Sequence, residues 1–237
     1  MRVFLLLALP LLGWAPLQTG SGESPAWKAS LEAAEKARHA HHFKTEQRHL
    51  ETALRLAQQA GAPPSEIGDI LDRLGTAYYF QKKDRKAEET LVRSLILKED
   101  ALGEGQPSVA VTLEHLAALA DQRGFKKKAE EYRLEALRIR EEALGVDHPD
   151  LAETLILLGV TREMAGRFEE AEAYFQRALS IRERALGEEH PLIAETLALL
   201  IALYDETGRQ EEAREVEARS WAIWAKEAPP PDAPPQR

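Results

Sequence analysis

The chain predicts an all-α fold built as a stack of repeated helix pairs, and three observations predict it. One six-residue passage occurs three times in a 42-residue register, as Leu102-Gly103-Glu104-Gly105-Gln106-Pro107, Leu144-Gly145-Val146-Asp147-His148-Pro149 and Leu186-Gly187-Glu188-Glu189-His190-Pro191. A fixed period of that size is the mark of stacked-repeat architectures. The register then continues beyond the passage, through Thr112-Leu113, Thr154-Leu155 and Thr196-Leu197, through Gly124, Gly166 and Gly208, and through Ala129, Ala171 and Ala213. The composition agrees: 44% of the 237 residues are hydrophobic and 30% charged, aromatics are scarce, and Ala, Leu, Glu and Arg, all strong helix formers, recur throughout. No run alternates with the period of two that a strand requires.

Residues 1–22 have the pattern of a secretory signal peptide. Arg2 supplies the positive start, Val3 to Trp14 the apolar stretch, and Gly20, Gly22 and Ala26 small residues near a cleavage point. The apolar run is shorter than the ~20 residues of a spanning helix and contains Pro10 and Gly13. An uncleaved signal anchor is the alternative. A secreted or periplasmic location is the expectation, without lipid attachment, because the chain has no cysteine. The same absence removes disulfides from the folding problem.

Residues 26–64 read as a degenerate helix pair, with one helix over Trp27 to Ala40, a second over Thr45 to Ala60, and Gly61-Ala62-Pro63-Pro64 as the break. Four fuller pairs follow, over 65–106, 107–148, 149–190 and 191–227. In the third, Pro149 opens helix A, since its missing N–H falls where that donor has no intrahelical partner, and Asp147 and Asp150 complement the helix dipole. Leu151, Leu155, Leu158 and Arg162 follow helical spacing, Gly159 admits a close neighbour, and Gly166 ends the helix. Helix B then carries Phe168, Ala171, Phe175, Ala178, Leu179 and Ile181 on one face. The first full pair repeats this grammar, with Lys82 where the others have glycine. In the last, Trp224 stands where Arg140 and Arg182 stand, which suits either a folded-back cap or an exposed contact. Residues 228–237, Ala-Pro-Pro-Pro-Asp-Ala-Pro-Pro-Gln-Arg, cannot continue a helix and are expected to be disordered.

These residues carry a resemblance. Gly-Arg-Phe-Glu-Glu-Ala-Glu at 166–172, Leu-Gly at 158–159 and Arg-Ala-Leu at 177–179 look like a tetratricopeptide repeat, and the 42-residue spacing with His-Pro ahead of helix A resembles the kinesin-light-chain subtype. The resemblance runs from about Trp27 to Lys226. It implies a right-handed α-solenoid whose A helices line a concave groove that holds a peptide or a partner helix. Kinesin-light-chain repeats usually carry Asn pairs in helix A that bind a peptide backbone. The matching positions here are Glu114-His115, Ile156-Leu157 and Ala198-Leu199, and the chain has no Asn.

If that register carries over, the groove is lined by Asp69, Asp72, Thr76, Tyr79 and Phe80, by Val111, Glu114, Ala118, Asp121 and Gln122, by Glu153, Ile156, Val160, Glu163 and Met164, and by Glu195, Ala198, Ala202, Asp205 and Glu206. Nine of these twenty are acidic and none is Lys or Arg, whereas the B helices are rich in both. The expected partner is therefore a protein or peptide offering basic residues beside apolar anchors, steered by charge. Acids are favoured in the first turn of any helix, which alone accounts for Asp69, Glu153 and Glu195. It does not account for Asp121, Glu163, Asp205 and Glu206, near helix C-termini.

The net charge of −9 argues against a phosphate-neutralising nucleic-acid face and against an anionic membrane surface. His39, His41, His42 and His49 have the residue type of metal ligands, but a solvated helix end explains them better, and no metal or other cofactor is expected. There is no nucleophile elbow, phosphate-binding glycine loop or zinc-protease motif, so the chain is expected not to be an enzyme. The alternative to a partner-binding scaffold is a self-associating module that stacks through its last helix, by way of Trp221 and Trp224.

Overall fold

The computed structural model describes residues 25–227, so the expected signal peptide at 1–22 and the disordered tail at 228–237 lie outside the described residues. Ten α-helices make up the described part: α1 (Ala26–His39), α2 (Phe43–Gln59), α3 (Pro64–Phe80), α4 (Asp84–Leu102), α5 (Pro107–Gln122), α6 (Lys126–Leu144), α7 (Leu151–Met164), α8 (Phe168–Leu186), α9 (Pro191–Glu206) and α10 (Gln210–Glu227). Each helix packs on its neighbours in sequence, most closely within the pairs α1/α2 to α9/α10. The molecule is an α-solenoid in which no helix can bury its apolar stripe alone, so stability accumulates pair by pair. None of the described helices is long and apolar enough to cross a membrane.

The repeated residues explain the repeated geometry. Proline opens α3, α5 and α9, where its fixed φ suits the first turn. At α9 the His190 ring adds a cap, its Nδ1 accepting from the Leu192 N–H at 3.2 Å. The third pair departs from expectation: α7 starts at Leu151 rather than Pro149. There His148 Nδ1 accepts from the Asp150 N–H, and the Leu151 and Ala152 amides donate to the carbonyls three residues back, so the first turn is a tighter one than an α-helix makes.

The turn inside each pair needs a residue in the left-handed region. Gly166 takes it with φ 72°, and the following Arg167 N–H reaches back to the Arg162 carbonyl at 2.9 Å, satisfying one of the helix's last acceptors. Lys82 adopts the same conformation with φ 57° despite its side chain, and Lys83 N–H bonds to Tyr78 O in the same way. The sequence expectation that Lys82 stands in for glycine is thus met in backbone geometry.

Within the pairs, small residues set the approach distance. A methyl group on Gly159 would overlap the ring of Phe175, and one on Gly75 would overlap Leu91. Phe175 is fully buried among Ala171, Leu200, Leu203, Tyr204 and Ala213, worth roughly 2–3 kcal/mol of apolar burial. The same contact set belongs to two successive pairs, which is how packing on one fixes the position of the next.

Candidate protein-binding groove

Acids that the A helices carry meet cations that the B helices carry, and the meeting repeats. In the first full pair Lys98, fully buried on α4, lies between Asp72 and Asp69 of α3, with Asp69 Oδ1 at 2.9 Å from Nζ. Thr112 of α5 donates its hydroxyl to Asp72 Oδ2 at 2.8 Å. In the next pair Arg140 Nη2 donates to Glu114 Oε2 at 2.8 Å, and Arg140 Nη1 donates to Thr154 Oγ1 of α7 at 2.6 Å. In the third, Arg182 Nη1 donates to Thr196 Oγ1 of α9 at 2.8 Å and Nη2 to Glu153 Oε2 at 3.2 Å. Ile156 occupies the position that Asp72 and Glu114 hold, so the carboxylate comes instead from Glu153, one turn earlier. Each unit of this ladder comprises one A helix, its B helix and the threonine of the following A helix.

The ladder sorts the nine acids among the twenty groove residues singled out from sequence. Asp72 is buried, and with Lys98 and Thr112 it belongs to the packing between pairs; its expected place on the open groove surface is corrected accordingly. Asp69, Glu114 and Glu153 each carry a B-helix cation, and Asp121 pairs with Arg133, a buried arginine at the position that Leu91 and Phe175 fill in other pairs. The separation of acids on A helices from cations on B helices is therefore a separation along the sequence and not between surfaces. Among the described residues Glu163, Glu195 and Glu206 make no ion pair, and Asp205 only accepts from the Gln210 amide at 3.3 Å. Glu195 lacks a cation because Trp224 replaces the arginine that its pair would otherwise supply. Burial, and then the charge of Glu206, push the Glu163 carboxyl above its ordinary range.

Apolar anchors lie at two places along the row, on α3 and on α7. Phe80 is 45% exposed and stacks on Phe43 of α2, ring centroids 4.8 Å apart, with Tyr79 edge-on at 5.3 Å. The Arg38 guanidinium stands 5.8 Å over the Phe80 ring, and Lys82 Nζ 5.8 Å over that of Tyr79. On α7 Met164, 66% exposed, adjoins Lys126, and Ile156 is half-buried. Phe43, Arg38 and Lys82 were not singled out from sequence; Lys82 is marked only by its place in the turn. His115 sits between the first two rungs, close to Asp72, Glu114 and Lys98, and burial holds its pKa below the usual histidine value.

The sequence matches the family model described as tetratricopeptide repeat over residues 108–184 and 162–226. No curated protein matches. Among solved structures, a putative kinesin light chain with nearly identical repeats from Podospora anserina is 19% identical, with 89% of this chain and 100% of that one covered at a TM-score of 0.72. BtubC from P. vanneervenii is 21% identical, covering 89% and 95% at a TM-score of 0.66. A Rap protein complexed with Competence and Sporulation Factor is 16% identical at a TM-score of 0.66; 87% of this chain aligns with 57% of that one. Likeness at these identities concerns the fold.

Proposed function

Because the chain belongs to the tetratricopeptide-repeat family, whose members bind proteins or peptides, we propose that it is a non-enzymatic scaffold that holds a partner segment along the row of A helices. The observation that carries this reading is the uneven satisfaction of the groove acids. Toward α3 and α5 they are paired with cations, while Glu163, Asp205 and Glu206 at the ends of α7 and α9 have no cation partner among the described residues. A partner's Lys or Arg side chains supply the missing charge there, and its apolar residues pack on Met164 or on the Phe80 and Tyr79 rings. The Rap protein of similar fold, seen in complex with Competence and Sporulation Factor, supports use of this kind of fold for holding another molecule.

The reading includes export, supported by the basic-then-apolar leader of Arg2 and Val3 to Trp14. Its test is affinity capture from a cell-envelope extract, run beside a Glu163→Lys/Asp205→Lys/Glu206→Lys variant whose circular dichroism is unchanged. A basic partner captured by the protein and lost with the variant supports the groove. Equal capture by both removes it. Asp121 stays out of the variant because its partner Arg133 is buried. A second reading, a module that associates with itself through α10, is favoured by the exposure of Trp221 and Trp224.

A further inference from the structure

The two ends of the described solenoid are finished differently. The exposed residues of α1 include Lys28, Glu32, Glu35 and Lys36, with both signs of charge and no large apolar side chain, the polar finish that a terminal repeat needs for solubility. The outer face of α10 has the opposite character. Trp221 occupies the position of Leu137 and Leu179, and Trp224 that of Arg140 and Arg182. Those internal residues are buried or half-buried beneath the helix that follows. No helix follows α10 among the described residues, and Trp221 and Trp224 are 67% and 48% exposed.

We propose that this face of α10 pairs with the same face of a second copy, antiparallel and about a two-fold axis at Trp221, to give a closed dimer. The proposal deepens the second reading above and rests on it. Two features choose this occupant. The stripe Ala218, Trp221, Ala222, Trp224, Ala225 is exposed at helical spacing, and antiparallel pairing about Trp221 sets the small Ala218 of each copy opposite the large Trp224 of the other. Glu217 then faces Ala225, so the stripe itself sets no acid against another. The charged face of α1, in turn, offers nothing for the tryptophans to pack on, which disfavours head-to-tail growth and leaves the isologous, closed contact. Two tryptophans and three alanines amount to less than the ~800 Å² per partner of a standard interface, so the pair is expected to exchange with monomer.

The test is sedimentation equilibrium of the protein from about 1 to about 300 μM. The expected result is a mass that doubles and then stops rising. Trp221→Asp/Trp224→Asp and, independently, Ala218→Trp should both remain monomeric; Ala218 is exposed, so its variant keeps the fold, as circular dichroism checks. Because the chain has no cysteine, Glu217→Cys and Ala225→Cys copies should form a disulfide with one another when mixed and much less when alone. A monomer throughout overturns both the dimer and the self-association reading. Masses that climb past two copies overturn the two-fold contact while leaving that reading in place, as does a dimer that survives Ala218→Trp. A monomer that pairs only after removal of residues 228–237 also overturns the proposal, assigning the tryptophan face to the chain's own tail.

Discussion

Arg140 of α6 donates to the hydroxyl oxygen of Thr154 on α7 at 2.6 Å, although the two residues belong to different helix pairs. Thr154 in turn donates to Glu114 of α5, so one buried hydroxyl closes a cation and a carboxylate of the preceding pair. Helix pairs in this chain are joined by polar chemistry as well as by apolar contact, and the first prediction follows from how well each rung is shielded.

Arg140→Ala should destabilise by about 2–4 kcal/mol, since it leaves the Glu114 carboxylate without its cation, held only by the Thr154 hydroxyl, and the buried Thr154 oxygen without its donor. Arg182→Ala should cost less, under about 1.5 kcal/mol, because its carboxylate partner Glu153 is 69% exposed and water replaces the lost contact. Urea denaturation of the two variants checks the order. Equal losses would mean that the threonine, and not the carboxylate, sets the strength of a rung.

Gly159→Ala should lower stability by about 1–3 kcal/mol in the same measurement, despite alanine's better helix propensity, because the new methyl group meets the fully buried Phe175 ring. Gly105→Ala, with open space around its Cβ position, should change stability by no more than about 0.5 kcal/mol.

Protonation of His115 should weaken the fold in mild acid. Burial depresses its pKa below the ordinary 6.5, with Lys98 and Arg38 adding to the effect and Asp72 and Glu114 opposing it. The unfolded chain therefore binds a proton more readily, and the stability present above pH 6.5 is lost as the pH falls below it. The melting temperature should drop across that window, and His115→Gln should flatten the drop. An unaltered profile in the variant would place the acid sensitivity elsewhere.

Glu163 gives the proposed groove its own pH signature. Its pKa is raised above 4.5, by burial first and by Glu206 second. In the unliganded protein its ionised form therefore opposes folding slightly, a cost relieved as pH falls through the raised value. A bound cation has the reverse effect and draws the proton off. Affinity for a Lys- and Arg-containing peptide, followed by fluorescence anisotropy, should begin to decline while the pH is still above 4.5. In Glu163→Gln the affinity should be lower at neutral pH and its decline should start at more acid pH.

The helices, the turn residues and the need for a small side chain at Gly159 were all legible in sequence, because each follows from spacing within one element and was written at least twice. The start of α7 was not, since His148 and Pro149 stand as His190 and Pro191 do at α9, yet the Ala152 amide bonds back to Pro149 in a tighter turn that the sequence pattern does not encode. The state of the groove acids was less legible still. Whether Glu114 is free or held depends on the reach of Arg140 across a helix interface, and so on a rotation that no local pattern encodes. The clue was present in the recurrence of a cation at 98, 140 and 182, in phase with Thr112, Thr154 and Thr196. Reading it as a ladder requires knowing that the threonine belongs to the next pair's partner surface. The contact of Phe43 with Phe80 was invisible for the same reason.

The ladder also bears on how such a chain changes length. The stretch that recurs in the sequence starts at a proline, whereas the stretch that closes on itself chemically starts at a carboxylate on one A helix and finishes at a threonine on the next. The two are out of phase, yet they share one wavelength. Excising a whole 42-residue period, such as 107–148, would bring Lys98 and Asp72 up to Thr154 in place of Thr112, a hydroxyl for a hydroxyl. Excising half a period would strand a buried ammonium or guanidinium group against apolar side chains. Removal of segments that keeps every rung closed is thereby confined to integer steps of that wavelength, and the ends of the array, where a rung has no successor, are the places where its chemistry has room to vary.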